Sequence, residues 1–222
     1  MSLRFEPIDA GALPREARWR KLLRRAALAW CAGFLAVGVS AEPPPKTLLL
    51  VASPGLLDSN FRRTVVLVTQ DEQGQATGVI INRPTDRSLA ELLPSQRFKR
   101  FTDPVFFGGP VAATGLFALF RASRDPGESL AMLPGLYLAL RADTIDALIS
   151  HPPGKIRFFA GYSGWAPGQL RAELDHGDWL TVDADPDIVF REDASNLWED
   201  LMRRATAVHA GVPQRRELAS FR

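Results

Sequence analysis

Residues 47–53 and 64–69 are runs of leucine and β-branched residues bounded by turn formers, and a third apolar run at 76–82 follows the turn Asp71-Glu72-Gln73-Gly74. The pattern predicts three strands, with a hairpin between the second and third. Ser88-Leu89-Ala90-Glu91 has the spacing of a capping box, so a short helix opens there and ends at Pro94. Further strands are expected at 104–107, 116–120, 136–140 and 155–160, and Asp143 starts a helix to Ile149 that Pro152-Pro153 close. Pro167 takes the first position of a helix through Leu174, with Gly177 as its stop. Residues 179–182 and 188–190 read as late strands, and Asn196 caps a last helix whose Leu197, Trp198, Leu201 and Met202 share one apolar stripe. Hairpins interleaved with unevenly spaced helices place the fold in the α+β class, as a single domain over 42–205 followed by a basic tail at 206–222.

Charge divides the chain at its N-terminal end. Of 27 basic and 25 acidic residues, seven and three lie in residues 1–41, leaving 20 and 22 and a formal charge of −2 for the rest. Residues 18–25 are basic, 26–38 are apolar and uncharged, and Val39-Ser40-Ala41 supplies the small residues of a cleavage site. This is the layout of a secretory leader, and the apolar run is short for a membrane span of about 20 residues. The expectation is a periplasmic protein beginning at Glu42. The alternatives are an inner-membrane anchor through 26–41 and a cytoplasmic protein with an extended start. The sole cysteine, Cys31, falls in the leader, so the body has neither a disulfide nor a thiolate metal site. An acidic body argues against specific nucleic-acid binding and leaves membrane contact to the leader alone.

The chemistry-bearing residues form no complete catalytic set. His151, His176 and His209 lack partners at metal-ligand spacing, and no glycine-rich phosphate loop is present, so neither metal nor cofactor is expected. Gly161-Tyr162-Ser163-Gly164 approaches a nucleophile elbow, but Trp165 occupies the place of its second glycine. Three segments have unusual residue choices. Pro84 holds Arg83 extended after Asn82, so Arg83 either grips an anion or ties loop carbonyls together. Phe106-Phe107-Gly108-Gly109-Pro110 delivers a double glycine, as suits a backbone that leaves a sheet or passes close to another chain. Residues 161–170, GYSGWAPGQL, read as a flexible loop and a helix start whose amides at Gly168 and Gln169 are open to an anion, or as a loop that caps its own helix while Trp165 plugs the core. The candidate binding surface is thus Asn82, Arg83, Pro84, Gly108, Gly109, Pro110, Gly161, Ser163, Trp165, Gly168, Gln169 and Glu173.

Read in order, LLVASPGLLDSNFRRTVVLV (49–68), GVIINRPT (78–85), FFGGPV (106–111) and GYSGWAPGQLRAEL (161–174) resemble the YqgE/AlgH family, bacterial proteins described as transcriptional regulators. The resemblance implies a bifurcated, mostly antiparallel sheet curled into a pseudo-barrel with flanking helices, and no established enzymatic activity or cofactor. A leader departs from the family pattern, and an exported protein does not act on cytosolic transcription. The expected function is therefore a non-enzymatic binding or regulatory module for a protein or small ligand. The rival readings are a hydrolase or transferase using Ser163 or Glu173 with Arg83, and an oligomerising scaffold.

Overall fold

The first strand shows why the leading apolar run does not alternate with polar residues. In the structure, a computed structural model describing residues 47–125 and 127–211 (side chains to 207), β1 (Thr47–Ala52) lies between β2 (Val65–Gln70) and β10 (Trp179–Asp183). Both of its faces are covered. Leu48, Leu50 and Ala52 pack with Trp165, Leu170, Leu174 and Trp179, while Leu49 and Val51 join the larger core with Phe159, Leu197 and Trp198. The predicted leader falls outside the described residues.

β2 and β3 (Ala76–Ile80) form the expected hairpin, turned at Gly74 with φ +79°. β4 (Pro84–Ser88) pairs antiparallel with β5 (Pro104–Phe107), and β6 (Val111–Arg121), β8 (Leu136–Ala139) and β7 (Leu130–Leu133) continue the sheet on the other side of β9 (Ile156–Trp165). β9 is where the sheet divides. Its outer half pairs with β3 (Gly78↔Ser163, Thr77↔Gly164, Ala76↔Trp165), and its first half pairs in parallel with β5 (Phe106↔Phe159, Phe107↔Ala160). The Thr47 hydroxyl donates to the Met132 carbonyl, so β1 meets β7 across the curl and the sheet becomes a half-barrel.

Among the described residues five α-helices accompany the sheet: α1 (Leu89–Leu92), α2 (Ala142–Ser150), α3 (Gln169–His176), α4 (Pro186–Val189) and α5 (Leu197–Gly211). The capping box forms as the spacing predicts, Ser88 N–H donating to Glu91 at 2.7 Å and Glu91 N–H to Ser88 Oγ at 3.3 Å. α5 is fixed across β1 by Trp198, whose indole N–H donates to the Ala52 carbonyl at 2.8 Å.

Five expectations are corrected. Residues 188–190 are not a strand, because Asp185 caps and Pro186 starts the helix α4. Residues 161–165 are not a loop but the end of β9. Pro167 does not begin α3, since Gly168 at φ +78° interposes a left-handed residue before Gln169. Arg141, not Asp143, holds the N-cap position of α2, with Asp143 in the first turn. Helix α5 continues to Gly211, into the stretch assigned to the tail.

Candidate functional site

The three sequence segments meet where the sheet forks. The Gly108 amide donates to the Ala160 carbonyl at 2.9 Å, the Gly108 carbonyl receives the Ile80 amide at 2.9 Å, and the Phe107 amide donates to the Arg83 carbonyl at 2.8 Å. The crotch admits no side chain: a Cβ on Gly108 would stand 2.2 Å from the Gly161 carbonyl oxygen, and one on Gly161 would stand 2.3 Å from that of Gly109. Gly109 (φ +149°) and Gly161 (φ +73°) also lie in the backbone region that favours glycine. Ser163 is fully buried there and donates Oγ–H to the Gly108 carbonyl at 3.0 Å, a bond that stitches β9 to the 108–109 turn. Pro110 continues from the double glycine to the surface, and Pro84, also exposed, opens β4.

Asn82 and Arg83 act on a segment that sequence reasoning left out of the candidate binding surface, the loop 53–63. Asn82 accepts the Val65 amide at 2.8 Å and donates to the Arg63 carbonyl at 3.0 Å, continuing by side chain the ladder between β2 and β3. The Arg83 guanidinium donates to the carbonyls of Asn60 (2.6 Å), Arg62 (2.8 Å) and Ser59 (3.3 Å). Of the two roles weighed for Arg83, the structure shows the loop tie. Burial lowers its pKa, the neighbouring Arg62 charge lowers it further, and Asp58 partly offsets both. Asp58 also accepts the Asn60 amide on its carboxylate at 2.7 Å, and on its carbonyl the amides of Phe61 (3.0 Å) and Arg62 (2.8 Å). The loop is therefore bonded at every residue from 58 to 62, yet its tip presents Leu57 at 88 % exposure.

The same loop rests on an aromatic cluster. Phe61 packs 6.0 Å from Trp165 and 5.5 Å from Trp179, centroid to centroid. Glu173 on α3 joins the two tryptophans: one carboxylate oxygen accepts both indole N–H groups, at 2.8 Å from Trp165 and 2.9 Å from Trp179, and the other accepts Gln169 Nε2 at 2.9 Å. The start of α3 is closed to an anion at Gln169, whose amide donates to the Ala166 carbonyl at 3.0 Å while its side-chain oxygen accepts the Ala166 amide at 3.1 Å. Ser163, Glu173 and Arg83 are each bonded to different partners and not to one another, so they do not assemble as a catalytic group. Among the described residues no cluster of His, Cys, Asp and Glu is placed to hold a metal, and no helix is long and apolar enough to cross a membrane.

A curled, forked sheet whose fork is sealed by glycine, with a braced loop beside it, defines the class. Residues 49–209 match the family described as AlgH-like, and the chain belongs to that family. It is 35 % identical to a UPF0301 protein of Chlorobium luteolum, over 70 % of this chain and 82 % of that one. A UPF0301 protein of Myxococcus xanthus is likewise 35 % identical, over 70 % and 87 %. The solution structure of the AlgH protein from Pseudomonas aeruginosa aligns with a TM-score of 0.58 at 32 % identity, covering 78 % of this chain and 93 % of that one. A crystal structure from Corynebacterium diphtheriae, at 24 % identity and TM-score 0.54, shares the fold.

Proposed function

We propose that this protein is a non-enzymatic binding module that docks a protein partner through the loop 53–63, with the fork and its glycine segments as the rigid support. The observation that carries this reading is the bracing of the loop: Arg83 and Asn82 fix four carbonyls, at residues 59, 60, 62 and 63, just after a leucine exposed to 88 %. An isolated exposed leucine is ordinary on a surface. One held on a pre-ordered loop loses little conformational freedom on binding, which is what makes an anchor residue effective. Of the candidate residues, Gly108, Gly109, Gly161, Ser163 and Trp165 are buried and serve as support, so only the exposed ones, such as Pro84, Pro110, Gly168 and Gln169, are open to a partner, and the catalytic alternatives lack an observation in their favour.

The test is quantitative co-purification with the full chain from native cells, comparing the wild type with Leu57→Asp. Loss of a specific partner with unchanged thermal unfolding agrees with the proposal, and an identical partner set contradicts it. The proposal extends to location. The basic run 18–25, the uncharged run 26–38 and Val39-Ser40-Ala41 support export with cleavage before Glu42. Intact-mass measurement on fractionated cells decides it: a periplasmic species lacking residues 1–41 agrees, and a full-length soluble cytosolic species contradicts.

A further inference from the structure

A cleft of about 770 Å³ opens between the chain entering β5, the Pro152-Pro153 turn before β9, and residues 190–195. Its volume falls in the range of small-molecule sites, and Phe106, Phe158 and Phe190 are among its lining residues, the first two buried and Phe190 half-buried. Three cations face this cleft. Arg157 lies 4.3 Å from the Phe106 centroid and donates to the carbonyls of Val189 (2.7 Å) and Arg191 (3.0 Å). Arg100 donates to the carbonyls of Ile149 and Ser150 at the end of α2. The Lys155 ammonium lies 6.0 Å from the Phe190 centroid.

Three carboxylates line the same cleft: Asp103, Glu192 and Asp193. Asp193 accepts the Ser195 amide at 2.9 Å and hydroxyl at 2.6 Å, while Asp103 and Glu192 are exposed. Among the described residues no ion pair joins any of these cations to any of these carboxylates. Neighbouring Arg191 does pair, with Asp200 at 2.7 Å. Burial lowers the Arg157 pKa and Asp103 raises it in part, so the two sense each other across the cleft without closing a pair. Charges of both signs are thus kept apart in one concave, aromatic-lined space. A ligand carrying both charges on an apolar body satisfies each side at once.

We infer that this cleft binds a dipolar ligand, an amino acid or dipeptide zwitterion with an aromatic side group, its carboxylate toward Lys155, its ammonium toward Asp103 and Glu192, and its ring against the half-buried Phe190. The inference goes beyond docking through the loop 53–63 and does not depend on it.

The test is ligand-observed NMR titration of the full chain with phenylalanyl-phenylalanine, its N-acetyl form, which keeps only the anion, and its C-terminal amide, which keeps only the cation. The zwitterion is expected to bind about tenfold more tightly than either capped form. Lys155→Ala is expected to abolish discrimination against the amide, and Asp103→Asn combined with Glu192→Gln that against the acetylated form. All the replaced side chains are exposed, so thermal unfolding should stay unchanged and confirm that the variants fold. Equal binding of all three probes, no binding at about 10 mM, or discrimination that survives these substitutions would overturn the inference. Partner capture through Leu57 is read separately, so failure of one leaves the other standing.

Discussion

Replacing Gly161 by alanine tests whether the fork is the reason for the glycine motifs. The added methyl would stand 2.3 Å from the Gly109 carbonyl oxygen, 3.0 Å from Ala113 Cα and 3.1 Å from the Val111 carbonyl oxygen, all of them backbone atoms. Relief requires the two arms of the fork to move apart by about 1 Å, which disturbs the packing around them. Overpacking of this kind costs about 1–3 kcal/mol, and alanine at φ +73° adds about 1–2 kcal/mol. Gly168 supplies the control. It has nearly the same φ, +78°, but nothing lies within 4 Å of its Cβ position. At both positions the conformational cost is partly cancelled by the stiffer unfolded chain, by about 0.4–1 kcal/mol. In a domain of this size 1 kcal/mol corresponds to about 2–4 °C. Thermal unfolding followed by circular dichroism should therefore show Gly161→Ala lowered by about 5–15 °C, or not folded at all, and Gly168→Ala lowered by less than about 4 °C. Equal shifts for the two variants would refute the steric account, because only the contacts distinguish them.

Three further outcomes follow from the same geometry. Arg83→Lys should cost about 1–3 kcal/mol and speed amide hydrogen exchange at Phe61 and Arg62, since a lysine ammonium does not span three carbonyls held in a fork; unchanged exchange would show that the brace is not Arg83. Glu173→Ala should cost about 1–3 kcal/mol and shift tryptophan emission by leaving two indole N–H groups unpaired, while Glu173→Gln keeps an acceptor oxygen and costs less; equal losses would contradict the shared-acceptor geometry. The carboxyl pKa is lowered at Glu91 by the bonds from Ser88 and at Asp200 by Arg191 and then Arg203, so each stabilises the fold above the ordinary carboxylate range and loses that contribution as pH falls through its depressed value. Stability should be flat above about pH 5 and fall below it, with a shallower fall in Asp200→Asn; an identical slope in that variant would contradict the assignment.

What the sequence disclosed depended on whether a structural role leaves a residue-type signature. The capping box and the stop at Gly177 are side-chain or glycine events, and they were readable from spacing alone. The double glycine at 108–109 announced a close approach, although not that Gly161 is what it approaches. The continuation of β9 through Trp165 was hidden for a related reason. Gly161, Ser163 and Trp165 are buried at alternate positions as in any strand, but two of the three are small because another backbone lies against them, and small residues read as turn. β4, PTDRS, carries little apolar signal because most of it is exposed and, among the described residues, it pairs with β5 alone. At the candidate site, the preference of Arg83 for loop carbonyls was foreseeable. Its particular partners were not, because backbone carbonyls of residues 59, 60 and 62 are available whatever side chains those residues carry.

The central claim, that the braced loop is where a partner docks, is tested most directly by site-specific photo-crosslinking in native cells. A photoreactive residue at position 57 is compared with one at Ala147, which is exposed on α2 and belongs to a face whose neighbours pack in a different core cluster. The account predicts a discrete protein adduct from position 57 that is absent from position 147 and disappears in Arg83→Lys, where the loop is no longer held. Equal labelling from both positions, or no adduct from position 57, would contradict it.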